Sequence, residues 1–221
     1  MIDAVIFDMD GLLIDSEAFW QEEERKLFAR YGIHITPEMQ KDTYGLGTNE
    51  VIEYWYNYQP WDHFDLQEIK NELFDAVEER IDREAEPLPG VNETIDFFKS
   101  RNTRPALASA SPFGIIDTVL NKLQLKDFFK VVHSCELEEF GKPHPAVYIS
   151  TARKLAVKPF NCLVFEDSFV GLLAAKSARM KTIAVPGEID SGNKNYAIAD
   201  IRLESLDQFE EKHFDRINAQ I

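Results

Sequence analysis

Short apolar runs recur along the chain, and several of them end on polar residues: DAVIFD at 3–8, PALASA at 105–110, KVVHS at 130–134, NCLVFED at 161–167 and KTIAVP at 181–186. Within these runs apolar and polar positions do not alternate, which is the pattern of strands buried on both faces of a parallel sheet. Helical spacing fills the intervals, at about 91–100, 112–124, 144–156 and 168–178. Strand and helix in regular alternation predict an α/β fold, a doubly wound parallel sheet of the Rossmann-like kind.

Residues 16–84 break this rhythm. EAFWQEEERKLFARYG and LQEIKNELFDAVEERID carry Glu, Lys and aromatic residues at helical spacing, and few segments there read as buried strands. PLPG at 87–90 then marks a turn before the α/β pattern resumes. The pattern predicts a core of residues 1–15 and 87–221, with residues 16–86 inserted after the first strand as a helical unit. The aromatic cluster Tyr54, Trp55, Tyr56, Tyr58, Trp61 and Phe64 falls in this insert, either as helix core or as a wall facing a ligand.

Composition narrows the partners. The chain has 221 residues, 44% of them hydrophobic and 29% charged, an ordinary globular balance. Its net charge of −15 argues against nucleic acid and against an anionic membrane, both of which need clustered Lys and Arg. No apolar run approaches the roughly 20 residues of a membrane span, and the acidic N-terminus begins a strand at once, unlike a signal peptide. A cytoplasmic monomer acting on a small molecule is expected. Cys135 and Cys162 lie in apolar stretches without ligand spacing and read as buried, reduced thiols.

In a doubly wound sheet, functional side chains collect beyond the carboxyl ends of the strands. Those positions hold Asp8 and Asp10 in DMDG, Ser109 and Ala110 in ASASP, and Glu166 and Asp167 in FEDS; Lys142 lies in the loop GKPHP. Taken singly, each has a plain structural reading: Asp or Ser as a cap, Lys142 as a solvated surface charge, His144 as a helix-start residue. Two adjacent acids after CLVF, however, are costly unless they meet a cation.

Taken together and in this order, these four signals resemble the haloacid dehalogenase superfamily of phosphohydrolases. The segments FDMDGLLIDSE, EYWYNYQPW, LPGV, LASASP, KPHP and EDS are similar to its β-phosphoglucomutase-like branch, in particular to bacterial sugar- and sugar-alcohol-phosphate phosphatases. The resemblance implies that the insert is a helical cap. It implies Asp8 as the nucleophile forming an aspartyl-phosphate, and Asp10 as the acid and base for leaving group and water. Mg²⁺ would be held by Asp8, the Asp10 carbonyl and Asp167, with Glu166 beside it. Ser109, the Ala110 N–H and Lys142 would hold the phosphoryl oxygens of a small phosphorylated metabolite. The metal would also answer the puzzle of an acidic protein that takes an anionic substrate. Mutases of this branch carry a His where this chain has Trp20, and an Arg in the cap motif where it reads GLGTNE around Thr48. Both departures favour a phosphatase over a phosphosugar mutase, and Trp20 becomes a candidate for packing against a sugar, its alternative being plain cap packing. A non-catalytic sugar-phosphate-binding protein on the same fold is the third reading, disfavoured because Asp8 and Asp10 are both present.

Overall fold

The computed structural model describes residues 1–43, 46–187 and 192–220. Gly45 of the GLGTNE segment lies outside them. By internal contacts the chain divides into two compact units, Met1–Asp15 with Glu86–Ile221, and Ser16–Ala85.

The first unit is built on a parallel sheet with strand order β3-β2-β1-β4-β5-β6. Its central strand, β1 (Ala4–Phe7), has all four side chains buried, so it needs cover on both faces and a neighbour on each edge. The neighbours are β2 (Arg104–Ser109) and β4 (Cys162–Glu166), which set Phe7 beside Leu107 and Phe165. Outside them lie β3 (Val131–Ser134), β5 (Lys181–Ala184) and β6 (Ile201–Arg202). The chain leaves β1 toward opposite edges on either side, and the order therefore reverses at β1 and β4, where an open α/β sheet forms its crevice.

Alternation along β1 gives the sheet two different faces. Ala4 and Ile6 join Ala106, Ala108 and Val164 in a small-residue layer, which lets α7 (Ala146–Lys154) and α8 (Phe169–Ser177) approach closely through Val147, Tyr148, Ala174 and Ala175. Phe7 points the other way and stacks on Phe165 at 5.0 Å, with Phe98 of α5 (Val91–Lys99) edge-on at 5.9 Å. That face is aromatic, and Phe209 continues it against Phe165 and Phe98. The first unit also contains α6 (Phe113–Lys122) and α9 (Glu211–Asn218).

The sheet therefore has one strand more than the five that the apolar runs predict. β6 is two residues long, too short to register as a period, and pairs with β5 through Ile183–Ile201 and Ala184–Arg202. Helix α9 likewise went unpredicted, because its buried residues Phe214 and Ile217 are few among charged ones.

The second unit is helical: α1 (Glu17–Arg30), α2 (Pro37–Gln40), α3 (Thr48–Tyr58) and α4 (Leu66–Glu84). Ile69, Leu73, Val77 and Ile81 recur every four residues and give α4 one apolar stripe. Asp65 caps it by accepting from the N–H groups of Gln67 and Glu68. The aromatic cluster divides here. Trp55 is buried against Phe28, Tyr56 stacks on Phe64 at 4.1 Å, and Tyr58 is 61% exposed.

Candidate active site

β1 ends at Phe7, and the next residue is fixed where it leaves the sheet: the Asp8 N–H donates to the carbonyl of Phe165 at 3.0 Å. Gly11 then turns the chain, its φ of 73° lying in the left-handed region, and its N–H donates to the Ile14 carbonyl at 2.8 Å. A side chain at Gly11 would also collide with Asp167, since a Cβ would lie 2.1 Å from Oδ2. The turn is thus glycine for two reasons, conformation and space.

Lys142 reaches the site from the loop before α7. Its ammonium donates to Asp8 Oδ1 at 2.5 Å, to Glu166 Oε1 at 2.6 Å and to the Ala108 carbonyl at 3.4 Å. All three of its donors are used, and its side chain is only 6% exposed. Glu166 is more fully committed still. Oε1 also accepts from the Tyr148 hydroxyl at 2.5 Å, and Oε2 accepts from the N–H and hydroxyl of Ser168 at 3.1 and 3.0 Å. Four donors occupy the four lone-pair directions of this carboxylate.

Asp10 is held differently. Its Oδ2 accepts from Ser111 Oγ at 2.7 Å and Ser109 Oγ at 3.3 Å, while Ser109 Oγ accepts from the Ser111 N–H at 2.9 Å. The structure therefore brings Asp8, Lys142, Glu166 and Asp167 into one cluster, and ties Asp10 to the hydroxyls beyond β2. Ala110 follows Ser109 directly and is exposed. Trp20 is elsewhere in the chain's architecture: on α1 of the helical unit, half-buried, and edge-on to Phe74 at 5.9 Å.

The electrostatics are lopsided. Burial pushes the Asp8 carboxyl up to about 8, against the pull of Lys142 and aided by Glu166 and Asp10. Asp167 is raised well above the carboxylate range by burial, then by Glu166 and Asp8. Burial works against the Lys142 ammonium too, yet Asp8 and Glu166 outweigh it and hold its pKa well above the usual lysine value. Tyr148 is raised by burial and Glu166, so it stays a neutral donor. One buried ammonium does not balance these carboxyls. Oxygens of Asp8, Glu166 and Asp167 all lie within 4.8 Å of one another, a hard-oxygen donor set that fits Mg²⁺.

Three residues in this network were not singled out from the sequence: Ser111, Tyr148 and Ser168. Ser168 carried a signal, as the first polar residue after FED with a helix following; its hydroxyl caps α8 by accepting from the Gly171 N–H at 3.1 Å. Tyr148 carried none, being one more large residue on an amphipathic helix. Both thiols are free. Cys162 is buried, and burial pushes its pKa up to about 12, whereas Cys135 is only half-buried, short of the burial expected for it.

A strand order of 3-2-1-4-5-6 with carboxylates and a buried lysine at the carboxyl ends of its central strands defines a doubly wound α/β core whose charged cluster sits at the crevice of the sheet. Comparison with known proteins agrees. A haloacid dehalogenase-like hydrolase family model matches residues 5–185. Hexitol phosphatase B of Escherichia coli (strain K12) is 38% identical over 210 residues, 95% of each chain. A phosphorylated carbohydrates phosphatase of Thermotoga maritima is 32% identical over 190 residues, 82% of this chain and 84% of its own. The crystal structure of β-phosphoglucomutase from Clostridium difficile superposes with a TM-score of 0.86 at 26% identity, covering 100% of this chain and 99% of that one. The chain belongs to the haloacid dehalogenase-like hydrolases, and within them it is a phosphatase. Among the described residues, no helix is long and apolar enough to cross a membrane.

Proposed function

We propose that this protein is a Mg²⁺-dependent phosphomonoesterase that hydrolyses small sugar or sugar-alcohol phosphates through an aspartyl-phosphate on Asp8. The observation that carries the reading is the Lys142 bridge between Asp8 and Glu166 beside Asp167: one cation set among more carboxyls than it can balance. Asp8 and Asp167 would hold the Mg²⁺, with the Asp10 carbonyl as a further oxygen. Glu166, whose lone pairs are spent on four donors, holds Lys142. Bound there, the ion supplies the positive charge that keeps Asp8 ionised and offsets the repulsion between carboxylate and phosphate.

The remaining steps belong to the chain's own groups. The Asp8 carboxylate attacks phosphorus while the Asp10 carboxyl gives its proton to the departing alkoxide. Asp10 then takes a proton from the water that cleaves the acyl phosphate. Lys142, the Ser109 hydroxyl and the Ala110 N–H supply donors to the phosphoryl oxygens. We assign residues 1–15 and 87–221 as the catalytic core and 16–86 as a cap that reads the rest of the substrate, Trp20 included. The relatives support the substrate class, since the match to hexitol phosphatase B spans 95% of the chain and that to the carbohydrate phosphatase 82%.

The test is phosphate release from a panel of hexose and hexitol phosphates, with Mg²⁺ and with EDTA, for wild type and Asp8→Asn. Turnover that needs Mg²⁺ and drops by at least about 10³-fold in the variant supports the reading. Isomerisation of β-glucose 1-phosphate after bisphosphate priming, without net phosphate release, would make the protein a mutase, the reading that its likeness to β-phosphoglucomutase keeps in view.

A further inference from the structure

Of the two hydroxyls on Asp10 Oδ2, Ser111 makes the stronger contact. It donates at 2.7 Å, within the range of a charge-assisted bond, whereas Ser109 Oγ lies 3.3 Å from the same oxygen, beyond the usual O–H···O distance. The two also part company once a phosphate ester binds. A serine hydroxyl has a single proton to give, and the function proposed above asks Ser109 to give its proton to a phosphoryl oxygen. Ser111 is then the hydroxyl that stays on Asp10.

That bond bears on which oxygen does the chemistry. A carboxyl that goes on accepting at Oδ2 carries its transferable proton on Oδ1. A donor fixed at Oδ2 therefore sets both the rotation of the carboxyl group and the oxygen from which the proton leaves.

Ser111 is itself held from the neighbouring strand. β3 ends at Ser134, which the parallel register sets beside Ser109 of β2. The Ser134 hydroxyl, fully buried, donates to the Ser111 carbonyl at 2.6 Å and accepts from the Glu136 N–H at 3.0 Å. The Glu136 carboxylate accepts in turn from the Phe113 N–H at 2.8 Å. Phe113 is the first residue of α6, and Pro112 before it brings no side-chain cap, so Glu136 satisfies an N–H that the helix leaves open. The segment Ser111–Phe113 is thus pinned at both ends to the residues that close β3.

We propose that Ser111, Ser134 and Glu136 are positioning residues for Asp10: the end of β3 holds Ser111, and Ser111 fixes the Asp10 carboxyl for proton transfer to the departing alkoxide. This rests on Asp10 serving as the acid, and the test carries its own check of that role. The readout is kcat/KM with Mg²⁺ for two probes, glucitol 6-phosphate, whose alkoxide needs a proton to leave, and p-nitrophenyl phosphate, whose phenolate does not. kcat/KM covers phosphoryl transfer to Asp8 and is blind to the later hydrolysis of the acyl phosphate. Both probes are read on one preparation, so any unfolded fraction cancels in their ratio.

Asp10→Asn is the reference and should lose at least about 10²-fold more on glucitol 6-phosphate than on the aryl phosphate. Ser111→Ala should show the same asymmetry at about tenfold, and Ser111→Thr, which keeps a hydroxyl, should largely remove it. Ser134→Ala and Glu136→Ala should show it at about threefold or more, since they shift Ser111 without deleting its bond. An equal fall on both probes in Ser111→Ala would make the residue structural or phosphate-holding and overturn the inference. An asymmetry confined to Ser111→Ala would overturn the part given to β3. If Asp10→Asn itself shows no asymmetry, the acid role falls and the positioning role with it.

Discussion

Gly171 lies so close to Glu166 that a Cβ on it would sit 1.8 Å from Oε1 and 2.1 Å from Cδ. Within α8, Gly171→Ala should gain up to about 1 kcal/mol of helix propensity. The contact reverses that sign. Glu166 cannot retreat, because Lys142, Tyr148 and Ser168 hold both of its oxygens. We expect Gly171→Ala to destabilise the fold by about 1–3 kcal/mol, the usual range for overpacking, and to lower kcat by displacing Lys142 through Glu166. Gly187→Ala, where an added Cβ meets nothing within 4 Å, is the control. Denaturant unfolding and phosphate release on the three proteins decide it.

Tyr148 meets the site twice: its ring centroid lies 5.2 Å from Lys142 Nζ, and its hydroxyl reaches Glu166. Its hydroxyl is fully buried and donates to the oxygen that also receives Lys142. Tyr148→Phe leaves the ring in place and removes one of four donors, at an expected loss of about 1–3 kcal/mol in stability. Glu166 then leans more heavily on Lys142 and draws it from Asp8. The expected signature is a fall in kcat with KM little changed, measured across sugar phosphates. A KM effect alone would mean that the hydroxyl serves the substrate and not the lysine.

How much of this was legible beforehand depended on whether a residue announces itself along the chain. Asp8, Asp10, Ser109, Glu166 and Asp167 stand at the ends of apolar runs, where a polar residue is out of pattern; the structure makes Ser109 and Glu166 the last residues of β2 and β4 and places the other three just past β1 and β4. Lys142 was marked by order within a set of motifs and not by local pattern; only the fold carries its ammonium 134 positions back to Asp8. Tyr148 and Ser111 were illegible, because their meaning is a contact made across the fold. The aromatic insert was readable as helix, but not which rings would be buried: Trp55 and Tyr58 sit three residues apart on α3, one 1% and the other 61% exposed.

Glu24 of the helical unit carries a pH dependence of its own. It is half-buried on α1, and burial, then the nearby Glu17, push its carboxyl from 4.5 up to about 7 despite a hydrogen bond from the Gln40 amide. A carboxyl whose folded pKa is raised favours the folded state in its protonated form. Its contribution is therefore full below 4.5 and is lost as pH rises from there through about 7. Because the group is partly exposed, we expect a contribution of no more than about 2 kcal/mol. Glu24→Gln should flatten the decline of Tm across that window, and an unchanged slope would show that Glu24 is ionised throughout.

Trp20 separates packing from recognition. Its ring meets Phe74 edge-on at 5.9 Å, a contact worth about 0.5–1.5 kcal/mol beyond its buried area. If Trp20 only packs, Trp20→Ala lowers stability and leaves the ranking of substrates intact. If it also lies against a sugar, as proposed, KM rises for hexose and hexitol phosphates and not for a small aryl phosphate. The comparison of the two substrate classes, each with its own wild-type reference, reads the difference directly.

Asp167 is where stability and function should pull apart. Burial and the charges of Glu166 and Asp8 raise its carboxyl well above the usual range, so at neutral pH its ionisation opposes folding when no cation is bound. Its Oδ2 fills the space that a side chain at Gly11 would need. Asp167→Asn keeps the shape and removes the charge, so the metal-free protein should become more stable, by about 1 kcal/mol. The same change takes the negative charge from a ligand of the proposed Mg²⁺ site, so both turnover and the rise in Tm that wild type is expected to show on adding Mg²⁺ should shrink sharply. Unfolding of both proteins in EDTA and in Mg²⁺ gives the four values needed. A variant less stable than wild type in EDTA would mean that Asp167 is held in the fold by a partner other than a metal, and the ligand assignment to Asp167 would fall.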